Sequence, residues 1–157
     1  MLGQELLQRQ VIGEILLAGG AVMLLKVQNR EVTKDIDAYF PPGQADIIRD
    51  AAKVVADREG LGYNWINDAV EGFFYTQPPT ETWAEYPGLR VYVPSLDYLF
   101  AMKVVAGRPQ DIDDIEALVH ELKLSNTQDA LTLVKKYIPE RLLVPRIQYL
   151  IEEIFEE

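Results

Sequence analysis

The amino-acid sequence predicts an α+β fold, with a small mixed sheet at the front of the chain and a helical C-terminal half. Three observations lead there. Short apolar or alternating runs at 15–18, 35–37 and 89–93 have the length and pattern of strands. Apolar residues recur at helical spacing through 44–59 and through most of the chain after 96. Gly19-Gly20, Pro41-Pro42-Gly43, Pro94 and Pro145 fall between these segments as breaks.

Taken in order, residues 4–12 read as a short leading helix with Leu6, Leu7 and Val11 facing inward. Ile15 to Ala18 is a first strand, Gly19-Gly20 a turn, and Ala21 to Val27 a short amphipathic helix. A second strand carries Asp35-Ile36-Asp37, with Ile36 directed to the core. Ile47, Ile48, Ala51, Ala52, Val55 and Ala56 then mark a helix over 44–59, closed by Leu61-Gly62. A short helical piece is expected from Trp65 to about Phe74. Residues 75–88, with Pro78, Pro79, Pro87 and Gly88, read as a loop suited to covering a pocket. Leu89 to Val93 is the third strand: Leu89, Val91 and Val93 share one face, Arg90 and Tyr92 the other. Pro94 ends it, and Ser95 is a good N-cap for a helix over 96–106. Helices are also expected over 112–122, from a Ser125 or Asn126 cap through Tyr137, and from Pro145 onward with Ile147, Leu150, Ile151, Ile154 and Phe155 as its apolar stripe.

The chain's 157 residues suit one domain with a real hydrophobic core. With no cysteine there is no disulfide, thiol nucleophile or cysteine metal site, and a single histidine, His120, excludes a conventional zinc site. No apolar run approaches the roughly 20 residues that span a bilayer, and the N-terminus lacks a basic region followed by an apolar one. The expectation is a cytoplasmic protein without a membrane segment. A formal charge of −10 argues against broad, sequence-independent binding to nucleic acid. It leaves room for a local basic pocket, because much of the acid lies at the end of the chain in Glu152, Glu153, Glu156 and Glu157.

The chemistry concentrates between residues 14 and 40. On an extended strand, residues i and i+2 project from one face, so Asp35 and Asp37 stand side by side. Two adjacent carboxylates repel unless a cation lies between them, and a hard divalent ion with oxygen ligands suits that position. Gly19 and Gly20 leave room for a phosphate chain to approach the backbone beside a helix N-terminus. Either feature alone is common, as a tight turn or a solvated strand face. Their order and spacing make the combination specific.

The stretch GGAVMLLKVQNREVTKDIDAYF resembles the nucleotidyltransferase superfamily, whose mark is an apolar strand, Gly-Gly or Gly-Ser, a helix, and a strand bearing Asp-x-Asp. The block Arg30-x-x-Thr33-x-Asp35-Ile36-Asp37 is similar to the branch that holds AbiEii-like toxins and small uncharacterised bacterial nucleotidyltransferase-like proteins. Two later stretches resemble the same small group: Trp65-Ile66-Asn67-Asp68, and VPSLDYLFAMK over 93–103 followed by Gly107-Arg108 and DIDDI over 111–115. The likeness runs from about residue 12 to 123.

The resemblance implies a single nucleotidyltransferase-like domain over 1–157, with its core at about 12–107 and a helical extension at about 108–157. It implies that Mg²⁺, or Mn²⁺, held by Asp35 and Asp37 serves the transfer of an NMP from an NTP to a hydroxyl on RNA, a protein or a small molecule. A toxin–antitoxin setting, with a toxin or antitoxin partner, is part of the same expectation. Gly19, Gly20, Arg30, Thr33 and Lys103 are the nucleotide-binding candidates, with Asn67 and Asp68 around the metal. Structural readings stand beside these. Arg30 suits an ion pair, Thr33 a strand start, Trp65 the core, and Arg108 a network with Asp111 and Asp114. Lys103 could reach a triphosphate, or lay its stem on apolar surface with its amine in water. Trp83 and Tyr86 read as partly exposed, and His120 as solvated. The wider superfamily often has a third carboxylate on a later strand, whereas Leu89 to Val93 has no acid. Asp68 and Asp97 are the possible substitutes, and the alternative is a non-catalytic nucleotide-binding or protein-interaction module on the same fold.

Overall fold

Where the sequence predicts three strands, the described residues form a five-stranded mixed sheet in the order β3-β2-β1-β5-β4. The computed structural model describes residues 1–27, 35–68 and 78–156. Its strands are β1 (Gly13–Ala18), β2 (Ile36–Tyr39), β3 (Ile66–Asn67), β4 (Thr80–Tyr86) and β5 (Leu89–Pro94). β1 runs antiparallel to β2 and parallel to β5, β2 runs parallel to β3, and β4 runs antiparallel to β5. The apolar run of β1 takes the centre because a central strand is covered on both faces, and five of its six residues are buried.

Register sorts the two faces. Leu17 pairs with Ala38 and Ile15 with Val91, while Ala18 pairs with Asp37 and Leu16 with both Tyr39 and Tyr92. Residues paired across strands share a face. One face is therefore the apolar floor on which the first helices lie, and the other carries Asp37, Tyr39 and Tyr92. Helix α1 (Leu2–Gln8) packs on β5 and on α3 (Ala45–Glu59), which buries Ile48, Ala51, Ala52, Val55 and Ala56 as its spacing predicts. Between β1 and β2 the chain turns at Gly19 into α2 (Gly19–Val22), which continues as a π-helical turn over Met23–Val27. The helical half follows: α4 (Leu96–Ala106), α5 (Ile112–Glu121), α6 (Thr127–Tyr137) and α7 (Pro145–Phe155). Ser95 caps α4 by accepting from the Tyr98 amide, and Asn126 caps α6 by accepting from that of Asp129.

The departures from the sequence reading have physical causes. Residues 80–86, expected as loop, form β4; as an edge strand its side chains are almost all exposed, so it carries no apolar alternation. Trp65 does not start a helix: Ile66 and Asn67 pair with Ile36 and Asp37, a contact too short to leave a periodic signature. The leading helix spans 2–8 rather than 4–12, and Leu7 points out, 50% exposed, while Leu2 and Leu6 pack inward. Helix α2 begins at Gly19 rather than Ala21; α3 ends at Glu59 as expected, but the glycine that caps it is Gly60 and not Gly62. Parts of two expectations, the helical piece beyond Asp68 and the start of the loop before Pro78, lie outside the described residues.

Candidate functional site

At the C-terminal end of β1 the backbone turns sharply at Gly19, with φ of +55°. This left-handed conformation costs an L side chain free energy and costs glycine little. A Cβ there would also sit tightly against the carboxylate, 3.3 Å from Asp37 Oδ2. Pairing of Ala18 with Asp37 across β1 and β2 brings the glycine and the carboxylate together. Asp37 is half-buried; Asp35, two residues earlier in the bend that precedes β2, is exposed. Both carboxylates lie at this end of the sheet, and Asn67 pairs in register with Asp37 from β3.

Gly19 and Asp37 border a cavity of about 460 Å³ between the sheet end and α4, whereas Asn67 lines a smaller recess with Asp68. Ala18, Gly19 and Asp37 form one wall, while Leu99, Met102 and Lys103 on α4, with Arg108 just beyond it, form the other. Its lining is therefore mostly apolar, with an acid on one side and cations on the other.

The cations are not equivalent. The Lys103 side chain is 9% exposed, and its Nζ lies 2.9 Å from Asp114 Oδ2 and 3.4 Å from Asp111 Oδ1. The amine is not in water, contrary to the structural reading of its sequence; it is enclosed by the acids of the following helix. Arg108 is 58% exposed at the cavity. Its Nε donates to Asp111 Oδ2 at 2.8 Å and its Nη2 to Asp111 Oδ1 at 3.1 Å. That paired contact uses part of a donor set of five N–H groups and leaves the rest available. The hydrogen bond to Asp111 raises the Arg108 pKa against the effect of desolvation, and the charges of Asp111, Asp37 and Asp114 add to the rise. Burial pushes the Asp111 carboxyl up, but the Arg108 hydrogen bond and the charges of Lys103 and Arg108 together bring its pKa below the ordinary value. Lys103, Arg108, Asp111 and Asp114 thus form a balanced network of two cations and two anions beside the acid pair.

Residues 2–138 match the model of a family described as nucleotidyltransferase of unknown function (DUF6036). The chain belongs to this family. No curated protein and no solved structure matches it. The α+β fold, with its mixed sheet and helical half, is consistent with a nucleotidyltransferase-like domain.

The remaining candidates of this nucleotidyltransferase-family chain fall in different places. Arg30 and Thr33 lie outside the described residues. Asp68 forms an ion pair with Arg49 on α3 and lines a smaller recess with Lys53 and Tyr63, away from the Gly19 cavity. Asp97 accepts from the Tyr137 hydroxyl at 2.7 Å and from the Tyr98 amide at 3.0 Å, so it ties α4 to α6. Burial raises its pKa, but bonds from Ser95, Tyr137 and Tyr98 and the charge of Lys136 bring it below the ordinary carboxylate value. Neither acid is among the cavity-lining residues with Asp37. Among the described residues, no three acidic or histidine side chains gather as a metal-binding group. Trp65 packs against the core and its Nε1 donates to Ala52 O at 3.0 Å. Trp83, Tyr86 and His120 are exposed. The residue that sequence reasoning undervalued is Arg108, placed in an ion-pair network but not at the cavity. Its position one residue past the glycine that ends α4 was the available signal, because a chain leaving a cavity-lining helix stays near the cavity.

Proposed function

We propose that this chain transfers a nucleoside monophosphate from an NTP to a hydroxyl group, with Asp35 and Asp37 holding a divalent cation, Mg²⁺ or Mn²⁺. The observation that carries the reading is the apposition of Gly19 and Asp37 at the mouth of a cavity that Arg108 also lines. It joins a stretch of open backbone, a carboxylate and a cation, which are the parts a metal–polyphosphate substrate requires. The donor set fits a hard cation: two carboxylates two residues apart, Asp35 in the bend before β2 and Asp37 on β2, with only oxygen ligands offered. Such an ion, when bound, would neutralise polyphosphate charge and stabilise the leaving pyrophosphate.

The protein's own groups have separate tasks in this reading. The bare backbone at Gly19 and Gly20 lets phosphate oxygens come close to main-chain N–H groups, which a Cβ would obstruct. Arg108 turns its remaining N–H groups to phosphate while Asp111 holds the guanidinium in place. Lys103, enclosed by Asp111 and Asp114, joins α4 to α5 and so supports that wall. Leu99 and Met102 supply apolar surface on which a nucleoside can lie. The acceptor oxygen attacks the α-phosphorus and gives up its proton to solvent water, the bond from that phosphorus to the oxygen bridging to the β-phosphate breaks, and pyrophosphate leaves with that oxygen. The acceptor hydroxyl belongs to RNA, a protein or a small molecule.

The test is calorimetric titration of ATP, GTP, CTP and UTP, with and without Mg²⁺, into the native protein and into the Asp35→Ala/Asp37→Ala double variant. Cation-dependent binding that the double variant loses is the expected result. Absence of binding by every nucleotide would overturn the nucleotide site and favour an interaction module on the same fold.

A further inference from the structure

Arg146 lies on α7, beyond the residues matched by the family model, yet its side chain ends at the cavity helix. Its Nη2 donates to the Val105 carbonyl at 2.8 Å. That carbonyl belongs to the last turn of α4, where backbone acceptors have no partner within the helix. A cation is also favoured there by the helix dipole. The guanidinium lies directly over Gly107: a Cβ at that position would be 2.1 Å from Arg146 Nη1. Gly107 has φ of +57° and its N–H closes α4 on the Lys103 carbonyl. The next residue is Arg108. Its side chain is fixed by Asp111, and its own backbone N–H also donates to Asp111 Oδ2 at 3.2 Å. The backbone leading into Arg108 is thus held on one side by Arg146, and its side chain on the other by Asp111.

We propose that Arg146 is a positioning residue: by covering Gly107 and capping α4 it sets Arg108 at the cavity for the phosphate of the substrate. This inference rests on the reading of Arg108 as the phosphate-contacting cation. Arg146 is not among the cavity-lining residues, so it acts through the 105–108 backbone and not by touching the ligand. The C-terminal helix thereby has a part in a site built from the matched segment.

Inorganic triphosphate with Mg²⁺ is the probe, because it reads the phosphate contacts without a base. Its affinity is measured by calorimetry in the native protein, Arg108→Ala, Arg146→Ala, Arg146→Lys and the Arg108→Ala/Arg146→Ala double variant, with melting temperatures recorded in parallel. Loss of a charge-assisted contact in Arg108→Ala should weaken binding about tenfold. Arg146→Ala should weaken it by about threefold to tenfold, and the double variant should bind no worse than Arg108→Ala, because residues that act through one group are not additive. Arg146→Lys keeps a donor for the Val105 carbonyl and should restore most of the affinity. Unchanged affinity in Arg146→Ala, or losses that add in full in the double variant, would overturn the positioning role and leave Arg108 as it stands. If the native protein fails to bind triphosphate, or Arg108→Ala binds it normally, the phosphate reading itself is wrong and the positioning role falls with it. A melting-temperature drop in Arg146→Ala with native affinity would mark a purely structural cap and also refute the proposal.

Discussion

Replacing Lys103 with methionine isolates the energetics of the network beside the cavity. Methionine keeps an unbranched stem to fill the same space and removes only the ammonium. Asp111 would still be neutralised by Arg108 at 2.8 Å, but Asp114 would lose the ammonium 2.9 Å from its carboxylate. Asp114 is only 3% exposed, so water cannot replace that partner. Truncating one side of a buried pair costs about 3–5 kcal/mol. With Arg108 still holding one of the two carboxylates, the lower figure applies, about 3 kcal/mol. For a chain of 157 residues this corresponds to a melting temperature about 6–12 °C lower. Urea unfolding at neutral pH, followed by circular dichroism, measures the loss directly. The Lys103→Met/Asp114→Leu double variant should recover most of it, because removing both charges relieves the desolvation penalty that removing one exposes. Lys123→Met, at an exposed lysine, should change stability by no more than about 0.5 kcal/mol. A Lys103→Met loss below about 1 kcal/mol, or a double variant less stable than the single, would refute the claim that this ion pair holds α5 against α4.

Other outcomes follow from the same geometry. Tyr137→Phe removes the donor to Asp97 and should cost about 1.5–3 kcal/mol near neutral pH, measured by urea unfolding. Because the folded pKa of Asp97 is depressed, its stabilisation is present above the ordinary carboxylate pKa and is lost as pH falls through the lowered value; the gap between native and Tyr137→Phe proteins should therefore close below about pH 4. Gly19→Ala should cost about 1–2 kcal/mol for left-handed backbone and crowd Asp37, lowering both the melting temperature and nucleotide affinity. Asp37→Asn should leave stability within about 1 kcal/mol of native, since the group is only half-buried. In a radiolabelled nucleotide-transfer assay the same substitution should reduce the rate at least ~100-fold, and a native rate would end its assignment as a metal ligand.

The candidate site was legible in part because its parts are local. Gly19-Gly20 and Asp35-Ile36-Asp37 announce themselves by residue type and spacing, and a strand–turn–helix–strand unit has few ways to fold. The apolar face of α3, the Ser95 cap and the Pro145 start of α7 were equally legible, because periodicity and capping depend on neighbours in sequence. β4 was not, since an edge strand needs no apolar face and gets its pairing from Leu89 to Pro94 beyond a turn. β3 was hidden for the same reason at smaller scale: two residues are a strand only because Ile36 and Asp37 lie alongside.

What the sequence by itself determined was the α+β class, the first apolar strand, the acid pair and the order of the helices, all consequences of short-range pattern. Only the tertiary structure decided which of the two cavity-lining cations is enclosed by acids and which stays exposed. In sequence, Lys103 and Arg108 are two basic residues five positions apart with acids downstream. In the fold, the turn at Gly107 sends α5 back along α4, so that Asp111 and Asp114 close around Lys103 while Arg108 stays at the surface. Burial decides between them, because a charge removed from water must be matched by charges brought from elsewhere in the chain, and no local pattern reports where those will come from.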